Sequence, residues 1–464
     1  MKERNVVNKL NSIEEYERQP VPASKQKGLR SFIGMYAGEH TAGTEFVIGP
    51  LFVAHGVSVS ALFGGLIIGN ILAVLSWAFI CSPIATSTRE TLYFKLEKIC
   101  GRNLVAVYNL VNGMMFCFLA GSMIAVSATA VGIPFNIGMP ELGDWLPTGP
   151  GWIITVFAVG SVITAVAMLG YEQVSKFANI AAPWMILVFI AAAFAAMPEL
   201  GITSLGDFWE VANEKIWTGV PMEGQSKFTF WHVMFFAWFC NMAMHIGMAD
   251  MSILRYARKW QYGFSSAAGM FVGHFIAWIA SGILCAAAAG SIAPGPIAYN
   301  AAGVAGAICV IIAGWTTANP TIYRAGLAIQ GIMPSVKRWK VTLVVGLVTT
   351  IAACFPALVM MLLDFVALYG LVLMPMGAVI FIDFYVLPRL GLQQDYAVKE
   401  GINFYWAPAF TWFATLILCL ILNMTAEVEI FFLGLPGWFL AAALYIGASR
   451  YSQQKQKVQL QKVK

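Results

Sequence analysis

Residues 34–45 read GMYAGEHTAGTE, and residues 238–250 read WFCNMAMHIGMAD. Both stretches set glycine, histidine and carboxylate groups inside otherwise apolar runs. A transmembrane helix needs about 20 mostly apolar residues, and such runs recur from Ser31 to Ser449 with only short polar breaks. The 464 residues are 59% hydrophobic and 11% charged, against roughly 25% charged in a soluble domain. The chain is therefore read as an integral membrane protein. Unpaired backbone groups are costly in hydrocarbon, so irregular backbone at that depth survives only where it is buried in protein or lines a cavity. These two stretches are the places where such irregularity is expected.

Outward from them, the apolar runs predict twelve spans at about 31–56, 59–82, 104–132, 151–170, 177–198, 229–250, 263–290, 302–328, 341–358, 361–386, 405–424 and 430–449. An all-α membrane protein of about twelve transmembrane helices follows. The interrupted spans are the first and the sixth, each opening a group of five. That spacing predicts a five-plus-five inverted repeat, with one repeat over 30–198, a loop over 199–228, the second repeat over 229–386 and two additional helices over 387–449. Gly-interrupted segments at matching positions of two halves point to a transporter's binding site. With both termini cytoplasmic, the inner segments hold 26 of the 28 Lys and Arg residues, as the positive-inside rule requires of a cell-membrane protein. The tails, 1–29 and 450–464, show no hydrophobic periodicity and read as solvated, and the first has no apolar core of a cleavable signal.

Several classes lack their signatures. The eight cysteines stand singly, with no disulfide framework or zinc spacing. The formal charge of +5 lies between helices and not on one soluble face, which argues against a nucleic-acid partner. An enzyme would need a motif such as HExxH, GxSxG or a phosphate-binding loop, and a channel a filter of repeated carbonyls; the sequence offers neither. Gly65 and Gly69 form a small-xxx-small pair and read as packing residues. The pair Thr316-Thr317, with Asn319 and Pro320, offers oxygen ligands at depth, although threonines often bond back to their own helix.

Short motifs fall in order along the chain: Pro20-Val21-Pro22 before Lys27-Gly28, Gly38, Ile68-Gly69-Asn70, Ala249-Asp250 followed by Arg255 and Arg258, Trp315-Thr316-Thr317, and Pro375 and Gly377 running to Asp383. In these the chain resembles the nucleobase-cation-symport family, particularly its cytosine and purine permease branch. The resemblance implies a LeuT-like fold, alternating access, a pocket between spans one, three, six and eight, and a sodium site between spans one and eight. It assigns to sodium the carbonyls of Gly38, Thr41, Ala313 and Thr316 and the hydroxyl of Thr317. It also implies a flat solute held by stacking and edge hydrogen bonds. Asn112 and Phe116 on the third span, Trp238, Phe239 and Asn241 on the sixth, Asn319 on the eighth, and Ala42, Gly43 and Glu45 at the first break are the candidates. The chain departs from the family where Gly113 replaces a glutamine, where Cys240 and Ala243 replace serines, and where Glu39, His40 and Glu45 are gained.

The expected function is sodium-coupled symport of a small nitrogenous solute, such as a nucleobase, a ureide or hydantoin-like ring or a vitamin precursor. It would be performed by a single chain among membrane lipids, without an organic cofactor. The alternative is proton-coupled or exchange transport of a cationic amine or amidine through Glu39 or Glu45. A carboxylate at mid-membrane costs about 2.5 to 3.5 kcal/mol on insertion scales, so each either serves the pocket or pairs with His245, His274 or Arg324. Asp250 and Asp383 are expected to pair locally, with Arg255 and Arg389 in reach.

Overall fold

Helices stop where the polar interruptions fall. In a computed structural model, which describes residues 10, 13, 15–138, 140, 144–147, 149–288 and 294–463, the first span is two helices, Arg30–Glu39 and Glu45–Ala54. The sixth is Phe230–Phe239 followed by the short turn Met242–His245. Beyond that turn Met248 takes φ +63°, a left-handed conformation that ends the helix. The tenth span, Leu362–Phe381, crosses at this point. A Cβ on its Gly377 would lie 1.8 Å from the Ile246 carbonyl, so only glycine lets the two backbones approach this closely.

Among the described residues, nine helices are long and apolar enough to cross a membrane. They are the second span Val59–Thr88, third Arg102–Val131, fourth Pro150–Met168, fifth Tyr171–Leu200, seventh Trp260–Ala287, eighth Ala302–Ile332, the tenth, eleventh Trp406–Ala426 and twelfth, within Ile430–Val463. The two interrupted spans and the ninth helix, Arg338–Ala353, complete the set of twelve. Large apolar side chains such as Ile154, Ile180, Leu187, Ile417 and Met424 remain exposed on the outside of the bundle, the surface that lipid covers.

The packing repeats itself in the way an inverted repeat requires. Glu45–Ala54 of the first span packs on the seventh, while Phe230–Phe239 of the sixth packs on the second. Arg30–Glu39 packs on the fifth, while Met242–His245 packs on the tenth. The third and eighth spans pack on each other, as do the fourth and ninth. Gly65 and Gly69 are packing residues as expected, since a Cβ on either would meet Val233 or Met234 of the sixth span within 3 Å.

The twelfth helix continues to Val463. The amino-terminal tail departs from the solvated reading. In the amino-terminal segment Glu15, Tyr16 and Val21 are buried, because Tyr256, Tyr323 and Arg255 offer Glu15 hydrogen-bond donors inside the bundle. Arg324, counted with the inner loops from its sequence position, is instead fully buried within the eighth span.

Candidate functional site

At the first break, His40 donates from Nδ1 to the Tyr36 carbonyl at 2.8 Å and Thr41 donates its hydroxyl to the Ala37 carbonyl at 2.7 Å. The Thr41 bond satisfies one of the last carbonyls of Arg30–Glu39, and the His40 ring shares the Tyr36 carbonyl with the His40 amide, which donates to it at 3.1 Å. At the sixth-span break the same service comes from His245, whose Nε2 donates to the Trp238 carbonyl at 3.0 Å. Two backbone ends are thereby left facing one cavity.

That cavity holds about 900 Å³ of empty space, counting the part open to solvent. Glu39, His40, Thr44 and Glu45 come from the first span, Phe236 and Phe239 to Met244 from the sixth, His274 from the seventh, Thr317 and Thr321 from the eighth, and Tyr369 from the tenth. Glu45, 1% exposed, accepts a short bond from the Trp278 indole N–H and another from the Thr44 hydroxyl at 3.1 Å. Its Oε1 lies 3.6 Å from His274 Nε2. The His274 ring stacks on Trp278 with centroids 4.4 Å apart and meets His40 at 4.8 Å.

Glu39 has a different environment. Its carboxylate receives both ends of the Arg324 guanidinium, at 2.5 and 3.1 Å. Arg324 also donates to Asp250 at 2.6 Å, and Asp250 accepts from the Tyr36 hydroxyl at 3.0 Å and the Trp77 indole at 2.6 Å. Of the carboxylate's three expected partners, it is Arg324 that binds Glu39. Asp250 takes Arg324 and not Arg255, because Arg255 is committed to carbonyls of Glu15 and Tyr16. Asp383 likewise faces Lys95 at 3.5 Å and not Arg389.

The structure brings Thr317 against the first break: its hydroxyl donates to the Glu39 carbonyl at 3.0 Å and lies 3.4 Å from the Ala313 carbonyl. Three oxygens from two spans thus converge, a donor set of the kind a bare sodium ion takes. Thr316 turns away, bonding back to the Ala313 carbonyl at 3.0 Å and touching Met185 of the fifth span at 3.6 Å. Gly38 lies against the fifth span, where a Cβ would stand 3.1 Å from that of Ala178.

Of the solute candidates, Glu45, Phe239 and Asn241 line the cavity. The others stand behind it. Asn112 bonds Tyr93 at 3.4 Å and Tyr369 at 3.5 Å, and Phe116 meets the Tyr369 ring at 5.1 Å, so Tyr369 stands between these two side chains and the cavity. Trp238 stacks on Phe239 and donates to Ser76 at 2.9 Å. Ala42 is buried with its carbonyl bonded to the Glu45 amide at 3.2 Å. A Cβ on Gly43 would meet Val126 at 2.5 Å. Asn319 is buried, and its amide meets no partner among the described residues. Tyr369, which lines the cavity, and Trp278, which bonds Glu45, were not singled out in the sequence, where His274 was named only as a possible partner of the carboxylates. His274 lies in a π-helical stretch, Ala268–Phe275, as Trp77 does in Trp77–Cys81, and such stretches re-aim side chains at functional sites.

No family model and no curated protein matches the sequence. Solved structures do. Mhp1, a nucleobase-cation-symport-1 family transporter in a closed conformation with bromovinylhydantoin bound, is 14% identical with a TM-score of 0.68, over 95% of this chain and 96% of that one. The chain has this transporter's fold. A Na+-coupled sialic acid symporter in a substrate-bound outward-open state is also similar, at 14% identity and a TM-score of 0.66 over 94% of this chain and 91% of that one. An Eremococcus coleocola manganese transporter is more distant, with 12% identity and a TM-score of 0.52 over 91% and 93%. This is the LeuT-like architecture expected from the resemblance, on a multi-pass membrane protein. Among the described residues no three His, Cys, Asp or Glu side chains gather to hold a metal ion.

Proposed function

We propose that the chain is a sodium-coupled symporter of the nucleobase-cation-symport family, moving a small nitrogenous solute by alternating access. The observation that carries this is the contact of the Thr317 hydroxyl with the Glu39 carbonyl, where the eighth span meets the break of the first at the wall of the cavity. In this reading the carbonyls of Gly38, Thr41, Ala313 and Thr316 and the hydroxyl of Thr317 hold sodium, whose charge draws the two spans together. Phe239 offers the solute a face, while Asn241 and Glu45 read its polar edge. Residues 30–198 and 229–386 form the two repeats, both termini are cytoplasmic, and one chain in the cell membrane suffices.

A second reading, a proton or exchange in place of sodium, rests on Glu45, a buried carboxylate on the cavity wall. Uptake by reconstituted protein separates the two. Sodium coupling predicts that an inward sodium gradient drives accumulation and that Thr317→Ala weakens half-saturating sodium by about tenfold, the worth of one hydrogen-bonding oxygen to a charge, while Thr317→Ser retains it. Uptake driven by a pH gradient and indifferent to sodium would replace this reading by the second.

A further inference from the structure

Glu39 and Glu45 both reach the cavity, yet only one of them is neutralised by the protein. Arg324 covers Glu39 with two hydrogen bonds. The partners of Glu45 are the uncharged Trp278 indole and Thr44 hydroxyl, with the imidazole of His274 at 3.6 Å. Among the described residues lining the cavity there is no lysine or arginine. A buried carboxylate without a positive partner is costly; besides the coupling ion or a proton, a bound solute can supply that charge.

We propose that the solute is a small organic cation, a protonated amine or amidine on a flat or apolar body, held by the Glu45 carboxylate; this rests on the transport reading above. Glu45 is the first residue of Glu45–Ala54, and the amino end of a helix attracts negative charge. The chain's own carboxylate stands where an anionic solute would otherwise be drawn, so anions are repelled and cations favoured. Phe236, Phe239 and Tyr369 line the same cavity, and aromatic faces add attraction for a cation. Asn241 lies beside them and supplies an amide that fixes orientation.

The test is binding to full-length protein in lipid nanodiscs, using matched pairs: benzamidinium against benzamide, and phenethylammonium against phenethyl alcohol, with hydantoin and benzoate alongside. Each cation is expected to bind at least about tenfold more tightly than its neutral partner, with benzoate weakest. Glu45→Gln is expected to remove that preference, weakening each cation by at least about tenfold more than its neutral partner. The proposal is overturned by the absence of a cation preference in both pairs, by hydantoin or benzoate binding more tightly than every cation, or by an unchanged preference in Glu45→Gln. Should that variant fail to fold, the wild-type pairs decide alone. Cation-selective binding without accumulation in proteoliposomes supports the site and overturns the transport reading, so the two fail separately.

Discussion

Arg324 is fully buried and holds Glu39 and Asp250 at once, so one guanidinium fixes the break of the first span and the carboxyl end of the sixth to the eighth. Removing one member of a buried ion pair strands its partner, at about 3–5 kcal/mol. Arg324→Ala is therefore expected to lower stability by that amount in chemical unfolding of the purified protein. Adding Glu39→Gln and Asp250→Asn to Arg324→Ala should recover part of the loss, because no charge is then left stranded. An equal loss in the single and triple variants would mean that packing, not charge, carries the cluster. Sequence showed that two carboxylates sat at mid-membrane but could not separate their roles. The helix ends after Glu39 and restarts at Glu45, so the break sets each direction, and the partners Arg324 and His274 arrive from the eighth and seventh spans.

The elements themselves were largely legible, because an apolar run of membrane length has few alternatives and a polar, glycine-rich interruption cannot stay helical in lipid unassisted. The π-helical stretches at Trp77–Cys81 and Ala268–Phe275 were not, since an inserted residue leaves the composition of a helix unchanged. Nor was the amino-terminal tail, whose Glu15 is matched by donors far away in sequence. Close approach of elements makes a sharper prediction. Gly377→Ala would place a Cβ 1.8 Å from the Ile246 carbonyl, forcing the tenth span off the broken sixth at the roughly 1–3 kcal/mol typical of overpacking, or more. Gly447→Ala, in the twelfth helix where a Cβ meets nothing, should stabilise by up to about 1 kcal/mol through helix propensity. Thermal unfolding of the two variants should thus move in opposite directions, and a shared direction would refute the contact.

At the scale of the whole molecule, the amino-terminal segment closes the face on which it lies. The Glu15 carboxylate accepts from the Tyr323 hydroxyl at 2.7 Å, the Tyr256 hydroxyl at 2.8 Å and the Tyr171 amide at 3.1 Å. Its carbonyl accepts from Arg255 at 2.6 Å. Tyr171 begins the fifth span, Tyr323 lies in the eighth and Tyr256 follows the sixth, so one acidic side chain joins three elements that the proposed alternating access would separate on this side. Hydrogen bonds to a charged group are worth about 1.5–3 kcal/mol each. Losing the charge in Glu15→Gln should shift the balance toward the state open on this face by roughly tenfold. Cys240 lines the cavity and serves as the reporter: a membrane-impermeant maleimide applied to that face should label its peptide faster in Glu15→Gln than in wild type, while labelling from the opposite face slows. Unchanged labelling from both faces would show that the segment merely rests on the bundle, and faster labelling from both would indicate loosened packing in place of a shifted equilibrium.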